Sequence, residues 1–437
     1  MLTKEVLKRV ISDQRRFFLD TQGFYKRKIL DLPEVKKAVL KTSEIIIVTG
    51  VRRCGKSYLL RLIWQKIKKQ LKTNAEFLYL NFEDERLVGF ETTDFTLLLE
   101  SFFELFEVDK KGKVFLFLDE IQNIPYWQKF LNRIREDKKY KIFISGSNAS
   151  LLSQEISTQL TGRNIPFYLY PFSFQEYLWT QSVVVKEKDF YDLEVKTKIN
   201  KLFRKYLSSG GFPEIIRTNY RPLLQEYLRN IIYRDIVLRY KIKYEASLRE
   251  MVNFLLSNIG TILSLEQLSK MTRIKNITTI KNYLEYLKNS FLFQSVPMYS
   301  YSIKQQIYNP DKIYICDLGI YNELGFRFSK NQGRFLENFV FNELQRIYPQ
   351  IYYGKSSKWG EIDFVISQNN KISHLIQVCT DLSAPKTRDR EIGSLLGAMK
   401  EYNIKRGHVL TLDYEGKEKY PEGEICFVPA WKYFLKK

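Results

Sequence analysis

The sequence predicts a multidomain α/β protein whose N-terminal part is a parallel sheet covered by helices. Short apolar runs alternate with helical stretches from residue 44 to about 170, and a helix followed by four further strand-like runs begins near residue 330. The chain has 437 residues, of which 44% are hydrophobic and 15% aromatic. A chain of this length and composition is expected to fold into several domains.

The first strands are predicted from runs of consecutive apolar residues. Such runs are typical of strands that are buried on both faces of a parallel sheet. They are EIIIVTG (44–50), EFLYLNF (76–82), KVFLFLD (113–119) and KIFISGS (141–147). Amphipathic patterns such as SYLLRLIWQKIKKQL lie between them and predict the covering helices.

Composition excludes several classes of protein. Charged residues interrupt every apolar run before the roughly 18 residues that a membrane span needs, and the N-terminus lacks the apolar block of a secretory signal. We therefore expect a cytoplasmic protein without a membrane partner. The four cysteines are far apart and there are only two histidines, so we expect reduced structural thiols and no zinc site.

The charge of the chain is strongly positive and unevenly distributed. The formal net charge is +21. Residues 196–310 contain 19 lysines and arginines against 7 acidic residues, and the first 42 residues contain 11 against 5. This excess favours a polyanionic partner, although a lysine-rich chain can also simply be a soluble one.

The loop after the first strand, TGVRRCGKS (49–57), matches the pattern GxxxxGK[ST]. In that pattern backbone N–H groups surround phosphates at a helix N-terminus, the lysine reaches the β- and γ-phosphates and the serine hydroxyl binds Mg²⁺. We therefore predict binding of ATP with Mg²⁺. The predicted contacts are Gly50, Arg53, Cys54, Gly55, Lys56, Ser57 and Tyr58. For Arg52 and Arg53, two roles stay open: adding charge near the phosphates, or pairing with acids elsewhere.

Two carboxylates follow the third apolar run at the end of VFLFLDEIQ (114–122). The carboxyl end of a buried strand is where α/β sheets bind ligands. Asp119 is predicted to hold Mg²⁺ through water, and Glu120 to polarise the attacking water. The next strand ends in SGSNAS, so Ser147 or Asn148 is expected between the two motifs, near the γ-phosphate.

These motifs resemble those of AAA+-type P-loop ATPases of archaea and bacteria that carry a restriction-endonuclease-like C-terminal region. The resemblance rests on the two motifs above and on GSNASLLSQEISTQLTGR, YPFSFQEYL and GGFPE. It implies catalytic roles for Lys56, Glu120 and Asn148. It also implies a homo-oligomer, with a hexameric ring among the expected forms, in which Arg163 contacts the γ-phosphate of the neighbouring subunit.

On this basis the sequence predicts four domains. They are a P-loop ATPase core with basic N-terminal helices (1–170), a helical lid (171–245), a winged-helix domain (246–325) and a nuclease-like α/β domain (326–437).

The segment 264–290 has the form of a helix-turn-helix. Ile277, Ile280, Leu284 and Leu287 form an apolar stripe on its second helix, and the strands after residue 291 are candidates for a wing. We expect phosphate-dominated contact with duplex or branched DNA, whereas a purely structural or protein-binding module is the alternative. The predicted DNA contacts are Arg273, Lys275, Thr278, Lys281 and Lys288.

The resemblance also suggests a PD-(D/E)xK core near the C-terminus, in which acidic residues hold Mg²⁺. Glu337 or Glu343 would be its helix glutamate, Asp363 its aspartate and Gln377 its third residue. Cys379 stands where that pattern has a lysine, so Lys355, Lys358 or Lys386 would have to supply the charge. With the pattern broken we expect a vestigial site without cleavage activity, and Cys379 is expected to be a buried thiol.

The sequence therefore favours an ATPase that couples nucleotide turnover to remodelling of, or translocation on, DNA. One alternative is a nucleotide-dependent switch that controls protein assembly. Another is an ATP-regulated, Mg²⁺-dependent nuclease.

Overall fold

The computed structural model describes residues 2–71, 75–108, 112–148, 163–324 and 332–436. These residues form two compact units. The first comprises residues 1–170 and 289–291, and the second comprises residues 171–288 and 292–437. Among the described residues, no helix has the length and apolar character needed to cross a membrane.

The first unit contains a parallel five-stranded sheet, with strands in the order β2-β3-β4-β1-β5. The strands are β1 (Ile45–Thr49), β2 (Glu76–Asn81), β3 (Val114–Asp119), β4 (Tyr140–Gly146) and β5 (Asn164–Tyr168). The four parallel strands predicted from apolar runs are confirmed. The fifth, NIPFY, was not predicted because its side chains are mostly half-buried or exposed at the edge of the sheet.

Helices cover the sheet of the first unit. They are α1 (Lys4–Leu19), α2 (Pro33–Lys41), α3 (Lys56–Leu71), α4 (Asp94–Phe106) and α5 (Trp127–Arg135). One apolar core joins buried residues of α1, α4 and α5 to the β-branched and leucine side chains of the sheet. This core fixes the carboxyl edge of the strands, from which the loops of the candidate site emerge.

The second unit begins with helices and continues into a small sheet. The helices are α6 (Phe174–Thr180), α7 (Leu193–Ser209), α8 (Pro213–Thr218) and α9 (Leu223–Asn230), and a π-helical segment (Ile231–Leu238) follows them. Next come α10 (Glu245–Ser257), β6 (Thr261–Ile262), α11 (Leu265–Thr272), α12 (Ile277–Asn289), β7 (Phe293–Val296), α13 (Ile303–Tyr308) and β8 (Lys312–Ile315). Strands β6, β8 and β7 pair in that order as an antiparallel sheet.

The C-terminal part of the second unit contains a six-stranded sheet in the order β13-β14-β12-β11-β10-β9. It is preceded by α14 (Leu318–Leu324) and α15 (Gln332–Leu344). Its further elements are β9 (Ile351–Ser356), β10 (Gly360–Gln368), β11 (Lys371–Val378), α16 (Pro385–Glu401), β12 (Arg406–Thr411), β13 (Gly416–Tyr420), β14 (Gly423–Pro429) and α17 (Ala430–Leu435). Helix α15 packs its apolar residues on one face of this sheet, and α16 packs on a separate core.

Two glycines of the motif GGFPE allow a close turn after α7. A Cβ atom on Gly210 would lie 2.0 Å from Asp317 Oδ1, and one on Gly211 would lie 2.3 Å from the Phe172 carbonyl oxygen. Asp317 accepts hydrogen bonds from the backbone N–H groups of Gly211 (2.6 Å) and Gly319 (2.8 Å). The carboxylate therefore connects the turn to the segment that follows β8.

Candidate functional site

The loop between β1 and α3 needs glycine at two positions. A Cβ on Gly50 would lie 2.0 Å from the carbonyl oxygen of Leu169, which follows β5, so no side chain fits there. Gly55 has a φ of 100°, a backbone conformation that L-residues rarely adopt. Arg53 also has a positive φ, 71°. Helix α3 begins at Lys56, directly after Gly55. The N-terminus of a helix favours anions through its unpaired N–H groups and its dipole.

The Lys56 side chain lies over this loop and is almost fully buried, with 5% of it exposed. Its Nζ donates to the carbonyl oxygens of Gly50 (3.2 Å) and Val51 (3.4 Å). The same atom is 3.7 Å from Glu120 Oε1. The lysine of the first motif and the second carboxylate of the other motif therefore meet at one point, 64 positions apart in sequence.

Asp119 ends β3 and is fully buried. Tyr79 on the neighbouring β2 donates its phenol proton to Asp119 Oδ2 at 2.9 Å, and Ser145 on β4 donates to Oδ1. Burial, followed by the charge of Glu120, raises the pKa of Asp119, whereas hydrogen bonds from Ser145, Ser57 and Tyr79 oppose the shift. The hydrogen bond between Ser57 and Asp119 places the two predicted metal-binding side chains side by side.

Glu120 follows Asp119 in a left-handed conformation, with φ 53° and ψ 40°. Such a conformation costs energy for a non-glycine residue and is often found at functional positions. The backbone N–H of Glu120 donates to Ser145 Oγ at 3.2 Å, and the side-chain amide of Gln122 donates to its carboxylate. Together with Lys56 Nζ at 3.7 Å, these groups surround Glu120, which is buried beside the loop.

Strand β4 lies between β1 and β3, so the residues after it stand between the two motifs. Ser147 and Asn148 are both fully buried there. Thr49 Oγ1 donates to the Asn148 carbonyl oxygen at 3.4 Å. The remainder of the motif SGSNAS, together with most of GSNASLLSQEISTQLTGR, lies in residues 149–162, outside the described part of the chain.

Sequence reasoning missed Arg27 as a support of the loop. Its guanidinium is buried and donates to the carbonyl oxygens of Cys54 (2.9 Å) and Tyr170 (2.6 Å). No local pattern around residue 27 indicates this role, because both acceptors are backbone atoms of distant segments. Ser145 and Tyr79 were missed for the same reason, since each acts across neighbouring strands.

The remaining loop side chains have different environments. Arg52 pairs with Glu83 at 3.1 Å, a contact of the second kind that the sequence left open for this residue. Cys54 is fully buried, and burial raises the pKa of its thiol. Tyr58 is half exposed, and its ring lies 4.3 Å from that of Phe24.

Arg163 stands at the opposite edge of the sheet from the loop. It immediately precedes β5, whose first residue pairs with Ile45 at the start of β1. Its side chain is 62% exposed and its guanidinium is 3.9 Å from Glu136 Oε1. Because the site is at the other end of these strands, Arg163 cannot reach the loop of its own chain.

The predicted DNA contacts lie on α12 and on the turn between α11 and α12. Arg273, Lys275, Thr278 and Lys281 are exposed. Lys288 is half-buried and lies 3.5 Å from Asp311, so part of its charge is neutralised.

The apolar stripe of α12 is buried except at its first residue. Ile280, Leu284 and Leu287 are buried as expected, together with Tyr283. Ile277, however, is 38% exposed. Its inclusion in the stripe is corrected, because the first turn of α12 extends beyond the core.

The residues predicted for the vestigial nuclease site lie close together. The lysine that contacts them is Lys312 and none of the three that the sequence suggested. Glu337 and Asp363 both contact Lys312 Nζ at 3.0 Å, and Gln377 Oε1 accepts the backbone N–H of Asp363 at 3.2 Å. Glu343 lies elsewhere, where it accepts the backbone N–H of Phe174 at 2.9 Å. The alternative helix residue is therefore excluded in favour of Glu337.

The lysines proposed to supply the missing charge lie at the surface, whereas Lys312, which contacts the acids, is buried. Lys355, Lys358 and Lys386 are all exposed. Lys312 was missed because it comes from β8, in a segment assigned to another domain. Cys379 is buried as expected, and burial raises the pKa of its thiol. All four cysteines are free and buried.

Three known families match consecutive parts of the chain. Residues 42–178 match the family described as AAA domain. Residues 200–331 and 332–433 match two domains of unknown function, DUF8612 and DUF4143. The five-stranded parallel sheet and this match define a protein with an AAA-type P-loop core.

Two relatives are similar to this chain over about nine tenths of its length or more. The chain is 34% identical over 445 residues to the uncharacterized protein MJ1544 of Methanocaldococcus jannaschii, covering 95% of this chain and 96% of that protein. It is 31% identical over 399 residues to an uncharacterized protein of Haemophilus influenzae, covering 89% and 94% of the two chains. The chain belongs to the family of AAA-domain proteins that includes MJ1544.

Among solved structures, Cdc6p from Pyrobaculum aerophilum aligns with 11% identity and a TM-score of 0.27. The alignment covers 74% of this chain and 97% of Cdc6p. A similarity this low carries no functional inference.

Proposed function

We propose that the protein hydrolyses ATP at the loop between β1 and α3 and uses the turnover to act on DNA. The observation that carries the ATPase proposal is the meeting of Lys56, Ser57, Asp119 and Glu120 at one edge of the sheet. The loop N–H groups and Lys56 suit the phosphates, and the oxygens of Ser57 and Asp119 suit a hard divalent cation. These residues would hold Mg²⁺, which neutralises phosphate charge when bound.

Glu120 is proposed as the residue that polarises the attacking water. Its carboxylate is 3.7 Å from Lys56 Nζ, so it lies close to the atom that would contact the γ-phosphate. A general base must lie within hydrogen-bond reach of the proton it accepts, directly or through one water. Asn148 is proposed to orient the γ-phosphate or the water from its position after β4.

The proposed assembly is a homo-oligomer in which Arg163 acts on a neighbouring subunit. Its exposure and its position at the far edge of the sheet support this, because a side chain there serves a nucleotide only in another chain. A ring satisfies this geometry for every subunit. Size measurement by light scattering, with and without ATP, tests the oligomer. Arg163→Ala is expected to retain ATP binding and to lose most of the hydrolysis.

The proposed DNA-binding part is the segment from α10 to β8, with the form of a winged helix. The order of its helices and strands supports this proposal, as does the exposed set Arg273, Lys275 and Lys281 on and beside α12. The excess of positive charge over residues 196–310 supports binding that is dominated by phosphate contacts. The helical residues 171–245 are proposed as a lid, and 326–437 as a nuclease-like module.

Two variants test the ATPase proposal. Lys56→Ala is expected to lower ATP hydrolysis by about 100-fold or more and to weaken binding of a fluorescent ATP analogue. Glu120→Gln should retain binding while hydrolysis falls by about 100-fold, because only the base is lost. Lys37→Ala, at an exposed position on α2, is the matched control. Hydrolysis that persists in Lys56→Ala would refute the assignment.

The DNA proposal is tested separately by binding to single-stranded, duplex and branched DNA at low salt. Binding to duplex or branched DNA, weakening steeply with salt, is the expected result. Nucleotide hydrolysis without any DNA binding would instead favour a switch that controls protein assembly.

A further inference from the structure

The strongest unassigned feature is a buried cluster of charges around Lys312. Its Nζ is 2.8 Å from Glu361 Oε1, 3.0 Å from Glu337 Oε1 and 3.0 Å from Asp363 Oδ1. The lysine side chain is 2% exposed. A lysine ammonium has three donors, and here three carboxylates accept, so its hydrogen-bonding capacity is filled.

Two of the three carboxylates, those of Glu337 and Asp363, also accept hydrogen bonds from other groups of the protein. Tyr314 donates its phenol proton to Glu337 Oε1 at 2.7 Å, and the backbone N–H of Val378 donates to Asp363 Oδ2 at 2.9 Å. The side-chain NH₂ group of Gln377 donates to Glu391 on α16. Its amide oxygen accepts the backbone N–H of Asp363 and is therefore not a ligand of Lys312. These donors, together with the Lys312 ammonium, hold the carboxylates of Glu337 and Asp363 in place, whereas the side chain of Glu361 is 40% exposed.

A divalent metal does not fit this arrangement. Mg²⁺ requires about six oxygen ligands at roughly 2.0–2.1 Å, and the ammonium group already lies between the same three oxygens. Among the described residues, no group of three or more histidine, cysteine or acidic side chains could hold a metal ion. The nuclease-like pattern implies Mg²⁺ at Glu337 and Asp363, and the structure disagrees with that expectation.

We infer that Lys312 is a built-in cation that replaces the metal of the nuclease-like site and ties the small sheet to the C-terminal domain. Lys312 begins β8, which pairs with β6 and β7 in the sheet that follows the proposed DNA-binding helices. Its acidic partners lie on α15 and β10 of the C-terminal domain. The position at which the nuclease-like pattern places its metal therefore holds ion pairs that connect the three-stranded sheet to the C-terminal domain.

The cluster lies within one compact unit and connects two of its parts, so it predicts how these parts move. The basic segment and the C-terminal domain should move together, and the C-terminal domain should not cleave DNA. An ammonium group that is held by three carboxylates costs much to remove, because it leaves buried charges without a partner.

The test uses the nucleotide-free, full-length chain carrying Asp119→Asn, so that the loop site does not take up metal. Binding of Mn²⁺ is measured by electron paramagnetic resonance with and without Asp363→Asn. Equal Mn²⁺ uptake in the two proteins is the expected result. A loss of one Mn²⁺ per chain on Asp363→Asn would overturn the inference, and this comparison does not depend on any change at Lys312.

The second arm removes the built-in cation. Lys312→Met in the same background should gain one bound Mn²⁺ per chain, and Lys312→Met with Asp363→Asn should lose it again. Lys371→Met, at an exposed position at the start of β11, is the matched control and should gain none. A folded Lys312→Met protein that takes up no additional Mn²⁺ would show that the ammonium does not occupy a cation position.

Discussion

Tyr79 and Asp119, on adjacent strands, are joined by a hydrogen bond of 2.9 Å from the phenol to the buried carboxylate. Burial, followed by the charge of Asp119, raises the pKa of Tyr79 well above its usual value, so the phenol remains a donor throughout the physiological range. The bond fixes one oxygen of the carboxylate that is proposed to hold Mg²⁺.

Tyr79→Phe should therefore weaken the metal site without abolishing it. Loss of a partner that orients a metal ligand typically costs 10–100-fold in metal affinity or activity, and Ser145 still holds the other oxygen. We expect the Mg²⁺ concentration for half-maximal ATP hydrolysis to rise about tenfold, while the rate at saturating Mg²⁺ changes little. Tyr140→Phe, at a half-buried position at the start of β4 and at the opposite end of the strands from the loop, is the control. An unchanged Mg²⁺ dependence in Tyr79→Phe would contradict this role.

Arg27→Met should weaken the hydrogen bonds that hold the loop between β1 and α3 in place. The variant removes the charged hydrogen bonds to the buried carbonyl oxygen of Cys54 and to the partly buried carbonyl oxygen of Tyr170. We expect the free energy of unfolding to fall by about 2–4 kcal/mol, and the KM for ATP to rise about tenfold. Thermal unfolding and steady-state kinetics measure the two effects. A variant that loses stability but keeps its KM would restrict Arg27 to a structural role.

Asp317 makes the stability of the second unit depend on pH. Burial raises its pKa to about 7, against the hydrogen bonds from Gly211, Gly319 and Ile320 that lower it. The folded state therefore holds this proton more tightly than the unfolded state, so the contribution of Asp317 to stability falls as pH rises from about 4 to 7.

Asp317→Asn should remove this dependence. Between pH 5 and 7, wild type is expected to lose on the order of 2–3 kcal/mol of unfolding free energy relative to the variant. Urea unfolding at several pH values measures the difference. Asp389→Asn, at an exposed position on α16, should leave the wild-type pH profile intact. Parallel profiles for wild type and Asp317→Asn would show that the carboxyl does not titrate in this range.

The exposed and the paired lysines of α12 should contribute differently to DNA binding. Lys281 is free to approach a phosphate, whereas Lys288 lies 3.5 Å from Asp311. Lys281→Ala is expected to reduce affinity several-fold and to lower the slope of log K against log salt by about 1. Lys288→Ala should change both by less. Equal effects of the two variants on the salt slope would contradict the proposal that Lys281 contacts phosphates more closely than Lys288 does.

The parallel sheet was predictable because its strands are nearly continuous apolar runs and the loop pattern fixes where the first one ends. The positions of Lys56, Asp119 and Glu120 followed from the same rule, since the carboxyl ends of parallel strands meet at one edge. These contacts depend on residues next to strand ends, which local sequence marks clearly.

The supporting residues could not be predicted from local pattern. Tyr79 and Ser145 look like ordinary strand residues, and their role depends on the register of β2, β3 and β4. Lys312 contacts acids 25 to 51 positions later in the chain, and only the pairing of distant elements shows it. Long-range contacts of this kind carry no spacing signal.

The most direct test of the central proposal is the rate of ATP hydrolysis with and without duplex DNA at low salt. The wild-type rate should rise several-fold on adding DNA. A double variant, Arg273→Ala with Lys281→Ala, should keep the basal rate and lose the stimulation, because its nucleotide site is unchanged. A wild-type rate that is identical with and without single-stranded, duplex and branched DNA would contradict the coupling of ATP turnover to DNA.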